Sequence, residues 1–302
     1  MKLCRYSVRC LRGTHFASLL AGAWLFVLGM GLPASDFASQ MKEAEAGNSE
    51  AQFLIGRSYD RGENVAQDFA KAREMYEKAA AQGNAKAMNN LGSMYLQGRG
   101  VSKDNEVALD WFKKSAECGA DRAQVTLGVC LQEGRVLKRD IPSAVAWFER
   151  AAQQGNAEAK RRLALLYYDG TEGWEKDYGK AVSVVNPLAE AGDPWAMNTL
   201  AAMYEYGHGV PKDDATSVEW LRKAAGAGDG RALFNLGSRH ASGHGVKRDI
   251  VQACALLETS LKKGEGAARA LLSELSPTLT PAQNEEVKRR VEKILSDPQW
   301  HP

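Results

Sequence analysis

The chain has 302 residues, 44% of them hydrophobic and 25% charged, with 9 prolines against 29 glycines. That balance supports a sizeable core and excludes a collagen-like or disordered chain; plentiful Gly with little Pro points to many short helix-ending turns. A formal net charge of +2 supplies no concentrated basic face of the kind nucleic acid requires.

Residues 1–34 differ from the rest. They carry Lys2, Arg5, Arg9 and Arg12 and no acid, then an apolar run of 17 residues from Phe16 to Leu32, then Pro33 and Ala34 before polar Ser35 and Asp36. This order predicts a secretory signal peptide cut after Ala34, although Leu32 is a poor residue at the third position before the cut. The run sits at the short edge of what crosses a bilayer, so an uncleaved anchor is the alternative. No Cys follows it to mark a lipoprotein. Without the leader, Lys+Arg fall from 39 to 35 against 37 acids, a net charge of −2. Cys4 and Cys10 leave with it. Cys118, Cys130 and Cys254 remain, an odd number at scattered spacing and no disulfide framework; all three are expected as small buried apolar residues. Cys118 would end one helix and Cys130 would lie well into the next, roughly 13 Å along its axis and too far to bridge.

Residues 35–47 read as an entry helix ending at Gly47. Residues 48–264 then repeat six times, as 48–83, 84–119, 120–155, 156–192, 193–228 and 229–264. The closing glycines, Gly83, Gly119, Gly155, Gly192, Gly228 and Gly264, are spaced 36, 36, 37, 36 and 36 residues. Other columns hold the same phase. Ala51, Ala87, Ala123, Ala159, Ala196 and Ala232 open each first helix. Ile55, Leu91, Leu127, Leu163, Leu200 and Leu236 follow, each next to a Gly or Ala (Gly56, Gly92, Gly128, Ala164, Ala201, Gly237). Asp68, Asp104, Asp140, Asp177, Asp213 and Asp249 lie near the start of each second helix, where the dipole favours them. Apolar residues at i, i+4 and i+8 make one buried stripe per helix. The small residues let helix axes come close. No strand pattern appears. The expected fold class is therefore all-α, a right-handed superhelical solenoid of stacked antiparallel helix pairs, because one hairpin cannot bury its apolar face alone.

The fourth unit departs from the pattern. It has one extra residue in its turn (171–176), Val184 and Val185 in place of an aromatic pair, and Pro187 inside the second helix, where it should kink the helix and alter curvature locally. Pro142 and Pro194 fall at helix starts. Residues 265–302 read as an incomplete seventh unit and a C-terminal capping helix. Thr280 and Gln283 make a capping box, and Val287, Val291, Ile294 and Leu295 form an apolar face.

These columns closely resemble Sel1-like repeats, relatives of tetratricopeptide repeats. The second unit matches best, through Leu91-Gly92, Tyr95, Gly98, Gly100-Val101, Asp104, Ala108, Trp111-Phe112 and Gly119. The resemblance implies a solenoid that binds proteins and needs no cofactor. An exported bacterial member would act as an adaptor or regulator in the cell envelope, in the periplasm first, or anchored to the inner membrane or secreted. It would touch a membrane only through an uncleaved leader. Recognition of cell wall or polysaccharide is the alternative. By analogy with tetratricopeptide geometry, the groove lined by first helices presents Arg57, Asn89, Arg161, Tyr168, Trp195, Asn198 and Tyr206. Asn and Arg suit a peptide backbone or a carboxylate, and the aromatics suit anchors. Specificity is expected around the fourth unit, where Arg161, Tyr168 and Trp195 fall together in sequence.

Rival chemistry is thin. Gly98-Arg99-Gly100 and Gly207-His208-Gly209 follow helices and lack the Lys-Ser/Thr of a phosphate loop. His208 and His244 hold the same position in neighbouring turns, with His240 four residues before His244, but no acid or Cys is evident beside them to complete a metal site. Ser260-Leu261-Lys262-Lys263 matches the Ser-x-x-Lys of penicillin-reactive enzymes, a group in which some Sel1-like proteins have been placed. No Lys-Thr-Gly or Ser-Asp-Asn accompanies it, and the paired cysteines of that family branch are replaced by Ala116 and Ala123. No catalytic residue, metal or nucleic-acid partner is expected.

Overall fold

A computed structural model describes residues 34–134 and 137–297, the side chains from residue 37 onward. The leader expectation, with Cys4 and Cys10, falls on residues outside these apart from Ala34. An entry helix, α1 (Ala34–Glu45), leads into six helical hairpins. They are α2 (Ser49–Arg61) with α3 (Phe69–Ala81), α4 (Ala85–Gln97) with α5 (Asn105–Glu117), and α6 (Asp121–Glu133) with α7 (Ile141–Gln153). Then come α8 (Ala157–Asp169) with α9 (Tyr178–Glu190), α10 (Pro194–Tyr206) with α11 (Asp214–Gly226), and α12 (Gly230–Ser242) with α13 (Ile250–Lys262). The chain ends through α14 (Ala268–Leu275), a 3-10 turn (Ser276–Thr278) and α15 (Pro281–Ser296). From α1 to α14 each helix packs on the next, and α15 folds back on α13, which makes an all-α solenoid of stacked hairpins.

Local sequence sets the helix limits. The six Asp residues expected near second-helix starts are the N-caps themselves; each carboxylate accepts one or two N–H groups of the first turn. In Asp140 and Asp213, bonds from the Ser143 and Thr216 hydroxyls and then from backbone N–H groups hold the carboxyl below its ordinary range. First helices are capped by Asn48, Asn84, Asn156, Asp193 and Asp229, each accepting from the N–H three residues on. Ala120 holds the same backbone conformation before α6 with no side-chain cap. Ala120→Asn is therefore expected to raise stability by about 1 kcal/mol. An unchanged or lower melting temperature would count against it.

The core runs between first and second helices, and its closest contacts pair a ring with a small residue. A Cβ on Gly56 would lie 2.7 Å from Tyr76, one on Gly92 2.8 Å from Phe112, and one on Gly128 2.6 Å from Phe148. Tyr76 and Phe148 are fully buried. Where the second helix carries Val185 or Leu221 instead, the first helix carries Ala164 or Ala201, all buried. In the first five units the small column thus matches the size of the residue opposite; the sixth keeps Gly237 opposite Leu257. The missing ring of the fourth unit is offset within the same hairpin.

In that unit the extra residue is absorbed by a tight turn in which Thr171 and Trp174 exchange backbone hydrogen bonds of 2.9 and 2.8 Å. The Trp174 ring tilts against Tyr167, centroids 6.2 Å apart. Helix α9 continues through Pro187 to Glu190. Pro187 and Ser183, whose carbonyl loses its donor, both lie on the exposed face, where water can serve that carbonyl. Helix α9 leans almost equally on α8 and α10, whereas each other second helix packs chiefly on its own hairpin partner.

The ends are closed by α1, through Ala44 against Ala51 and Ile55, and by α15, through Val287 and Val291 against Cys254 and Ala255. The capping box of Thr280 and Gln283 is formed. Leu295, expected on the apolar face, is 45% exposed; of that face Val287, Val291 and part of Ile294 pack toward α13. Cys254 is buried and Cys130 half-buried, and burial pushes both thiols up. Cys118 corrects the expectation of a third buried thiol. It is the C-cap of α5, where the chain leaves the core, and it is exposed.

Candidate functional site

The first helices present every third or fourth residue away from the core. The seven candidate residues accordingly face outward, but they separate into three places. Arg57 and Asn89 line one groove of 650 Å³ across α2, α4 and the start of α6. Its walls also carry Arg61, Lys86 and Arg122, with Phe53 and Leu54 below. Arg57 Nε and Asn89 Oδ1 are both buried and without a hydrogen-bond partner. The groove's acids are already engaged. Glu50 accepts from Lys86 Nζ at 2.8 Å and Asn84 Nδ2 at 3.1 Å, and Asp121 accepts from Asn156 Nδ2 at 2.6 Å. The Lys86 bond, opposed by burial, leaves the Glu50 carboxyl below its usual range.

Arg161, Trp195 and Asn198 form the second place. Arg161 Nη2 donates to Asp193 Oδ2 at 2.6 Å, and its guanidinium lies 5.8 Å from the Trp195 ring centroid. Burial alone would raise the Asp193 carboxyl, but hydrogen bonds from Arg161 and the Ala196 N–H hold it below its usual range. Trp195 and Asn198 line a smaller groove of 360 Å³ with Arg231, Lys263 and Glu265. Asn198 Oδ1 accepts from Asn235 Nδ2 at 2.8 Å.

Tyr168 and Tyr206 are in neither groove. They meet His208 at the turn edge of the fourth and fifth units. The Tyr168 hydroxyl is 2.8 Å from His208 Nδ1, and Tyr178 stacks on the imidazole at 4.2 Å with planes 3° apart. Tyr206 lies 5.6 Å from the same imidazole and is 61% exposed. The expected cluster of Arg161, Tyr168 and Trp195 is therefore split. Trp195 stands two residues past its N-cap, beside Arg161 of the preceding unit, while Tyr168 lies near the far end of α8.

Sequence reasoning missed Arg61, Lys86 and Arg122 in the first groove and Tyr178 in the ring cluster. Reading every outward phase of the six units, rather than selected residues, would have found the three basic side chains. It also missed the carboxylate beside His244: Asp214 Oδ1 lies 2.9 Å from His244 Nε2 and shares that region with the buried Arg239. Ser260 is fully buried and its hydroxyl donates to the Gly230 carbonyl at 2.7 Å, as Ser115 donates to Ala85 at 2.6 Å. Both serines tie a second helix to the first helix of its own hairpin. Among the described residues no group of three or more His, Cys, Asp or Glu could hold a metal ion. No described helix is long and apolar enough to cross a membrane.

Comparison with known proteins supports this architecture. A protective antigen of uropathogenic Escherichia coli strains, solved with an SLR fold, is similar at 28% identity and a TM-score of 0.75 over 88% of this chain. This chain spans 57% of the length of that one. A Sel1 repeat protein from Oxalobacter formigenes is 31% identical, with a TM-score of 0.62 over 76% of this chain and 99% of its own. A search of curated protein sequences finds no match. The Sel1 repeat profile matches residues 49–84, 85–119, 121–156, 157–183, 196–229 and 230–265. It lapses between 183 and 196, where Val184, Val185 and Pro187 break the pattern. Such repeats commonly serve as protein–protein interaction scaffolds. With six repeats matched over most of its length, the chain belongs to the Sel1 repeat family.

Proposed function

We propose that this chain is a non-enzymatic adaptor of the bacterial cell envelope, exported to the periplasm, that holds a protein partner on the face lined by its first helices. The observation that carries the reading is the groove across α2, α4 and α6. It is lined by donors and acceptors that the chain itself leaves unpaired, and hydrogen-bonding groups in such a position gain most from an incoming partner. A photo-crosslinking residue at position 57 or 195 should capture one protein in living cells. The same residue at Ala146, exposed on a second helix, should capture none. Equal capture from all three positions would defeat the reading. Recovery of the protein in the cytoplasm would defeat the export claim.

A second reading, recognition of cell-wall polysaccharide, draws on the ring cluster of Tyr168, Tyr178, Tyr206 and His208. Sugar faces stack on such rings. Glycan binding lost on Tyr206→Ala, without protein capture from positions 57 and 195, would favour it over the adaptor.

A further inference from the structure

We infer that the groove across the first three units takes an extended peptide segment that bears carboxylate side chains. This inference rests on the adaptor reading and names the chemistry of its partner. Four basic side chains line the groove, and its two acids have hydrogen-bond partners from within the chain. Arg57 and Arg122 take part in no ion pair among the described residues, and Arg61 holds only an exposed contact to Glu63 at 3.4 Å. With Lys86 held by Glu50, the excess charge is positive and rests on Arg57, Arg61 and Arg122.

The unpartnered atoms narrow the ligand further. Arg57 Nε–H needs an acceptor and Asn89 Oδ1 needs a donor; both atoms are buried as they stand, but their side chains are only half-buried and line one groove, so a change of rotamer brings each to an incoming ligand. A DNA sugar–phosphate backbone brings acceptors alone. An extended peptide brings both: a carboxylate matched to the planar guanidinium fork, and backbone N–H groups for Asn89. Phe53 and Leu54, beneath the polar rim, offer apolar contact to the peptide's carbon stems. The groove near Trp195 lacks this balance: Arg161 Nε is also unpartnered, but its charge is paired with Asp193 through Nη2, and the Asn198 acceptor is taken by Asn235.

The test is fluorescence anisotropy of the purified protein with a labelled Glu/Asp-rich peptide and its Gln/Asn counterpart. The acidic peptide should bind, weaken as salt rises, and lose about tenfold in affinity in both Arg57→Met and Asn89→Ala. The exposed substitution Arg122→Gln leaves packing alone and should weaken it roughly threefold. Trp195→Ala should leave it unchanged. Three results would overturn the inference: equal affinity for the neutral peptide, affinity indifferent to Asn89→Ala, or full displacement by an anionic oligosaccharide that also ignores Asn89. If those results came with a protein partner crosslinked at position 195, the carboxylate inference would fall while the adaptor reading stood.

Discussion

Gly209→Ala is expected to destabilise the protein by about 3 kcal/mol, far more than one methyl group ordinarily does. Two effects combine. Gly209 has φ +76°, a left-handed conformation that costs an L-residue on the order of 1 kcal/mol. Its Cβ would also run into the Tyr178 carbonyl oxygen and stand 2.9 Å from Val182 Cγ2. The first of these is backbone at the start of α9 and cannot swing aside. Relief requires the turn of the fifth unit to lift from the second helix of the fourth. In a solenoid, units are held by nearest-neighbour contacts, so the melting curve should broaden or split as well as shift. Gly47→Ala is the control. Gly47 has φ +95° but nothing within 4 Å of the added Cβ, so only the conformational cost of about 1 kcal/mol remains. Equal effects of the two substitutions on the denaturant midpoint would show that the close approach at Tyr178 carries no weight.

Phe148→Ala should cost about 4 kcal/mol, since a fully buried ring is lost from the face of Gly128. The seat can be tested apart from the ring. Gly128→Ala alone should cost about 2 kcal/mol, as its methyl group meets the ring at 2.6 Å in a packed hairpin. Joined to Phe148→Leu, which copies the Ala201 and Leu221 of the fifth unit, most of that cost should vanish. The expected coupling is about 1 kcal/mol or more in a double-mutant cycle. Additive effects would mean that the small column only brings helix axes together and does not seat the opposing side chain.

These two experiments probe different ranges of information. The helix-ending glycines, the Asp and Asn caps and the Thr280 capping box act within four residues of themselves, whereas Gly209 also meets Tyr178 of the preceding unit. Fixed-spacing columns therefore disclosed the hairpins, the breaks between them and the odd fourth unit. The columns hid what each small residue opposes, because Gly128 and Phe148 lie on different helices and each column looks sufficient alone. Sequence reading gave the Gly/Ala column one cause, close helix axes; the structure adds the volume exchange with Tyr76, Phe112, Phe148 and Val185.

The candidate site shows the same division more sharply. From the chain alone, Arg57, Asn89, Arg161, Tyr168, Trp195, Asn198 and Tyr206 were legible as outward residues of first helices, and the all-α solenoid was legible as their support. Repetition determines these, since the phase of a helix fixes which side chains leave the core. Only the tertiary structure decided the neighbours. Arg161 meets Asp193 from 32 residues away, and Tyr168 meets His208 from 40. Such pairs depend on the angle at which one hairpin stacks on the next. That angle is the outcome of side-chain volumes at every interface, and no single column of the repeat encodes it. It divides the seven residues among two grooves and a ring cluster, and it leaves Arg57 and Asn89 unpaired in the same groove.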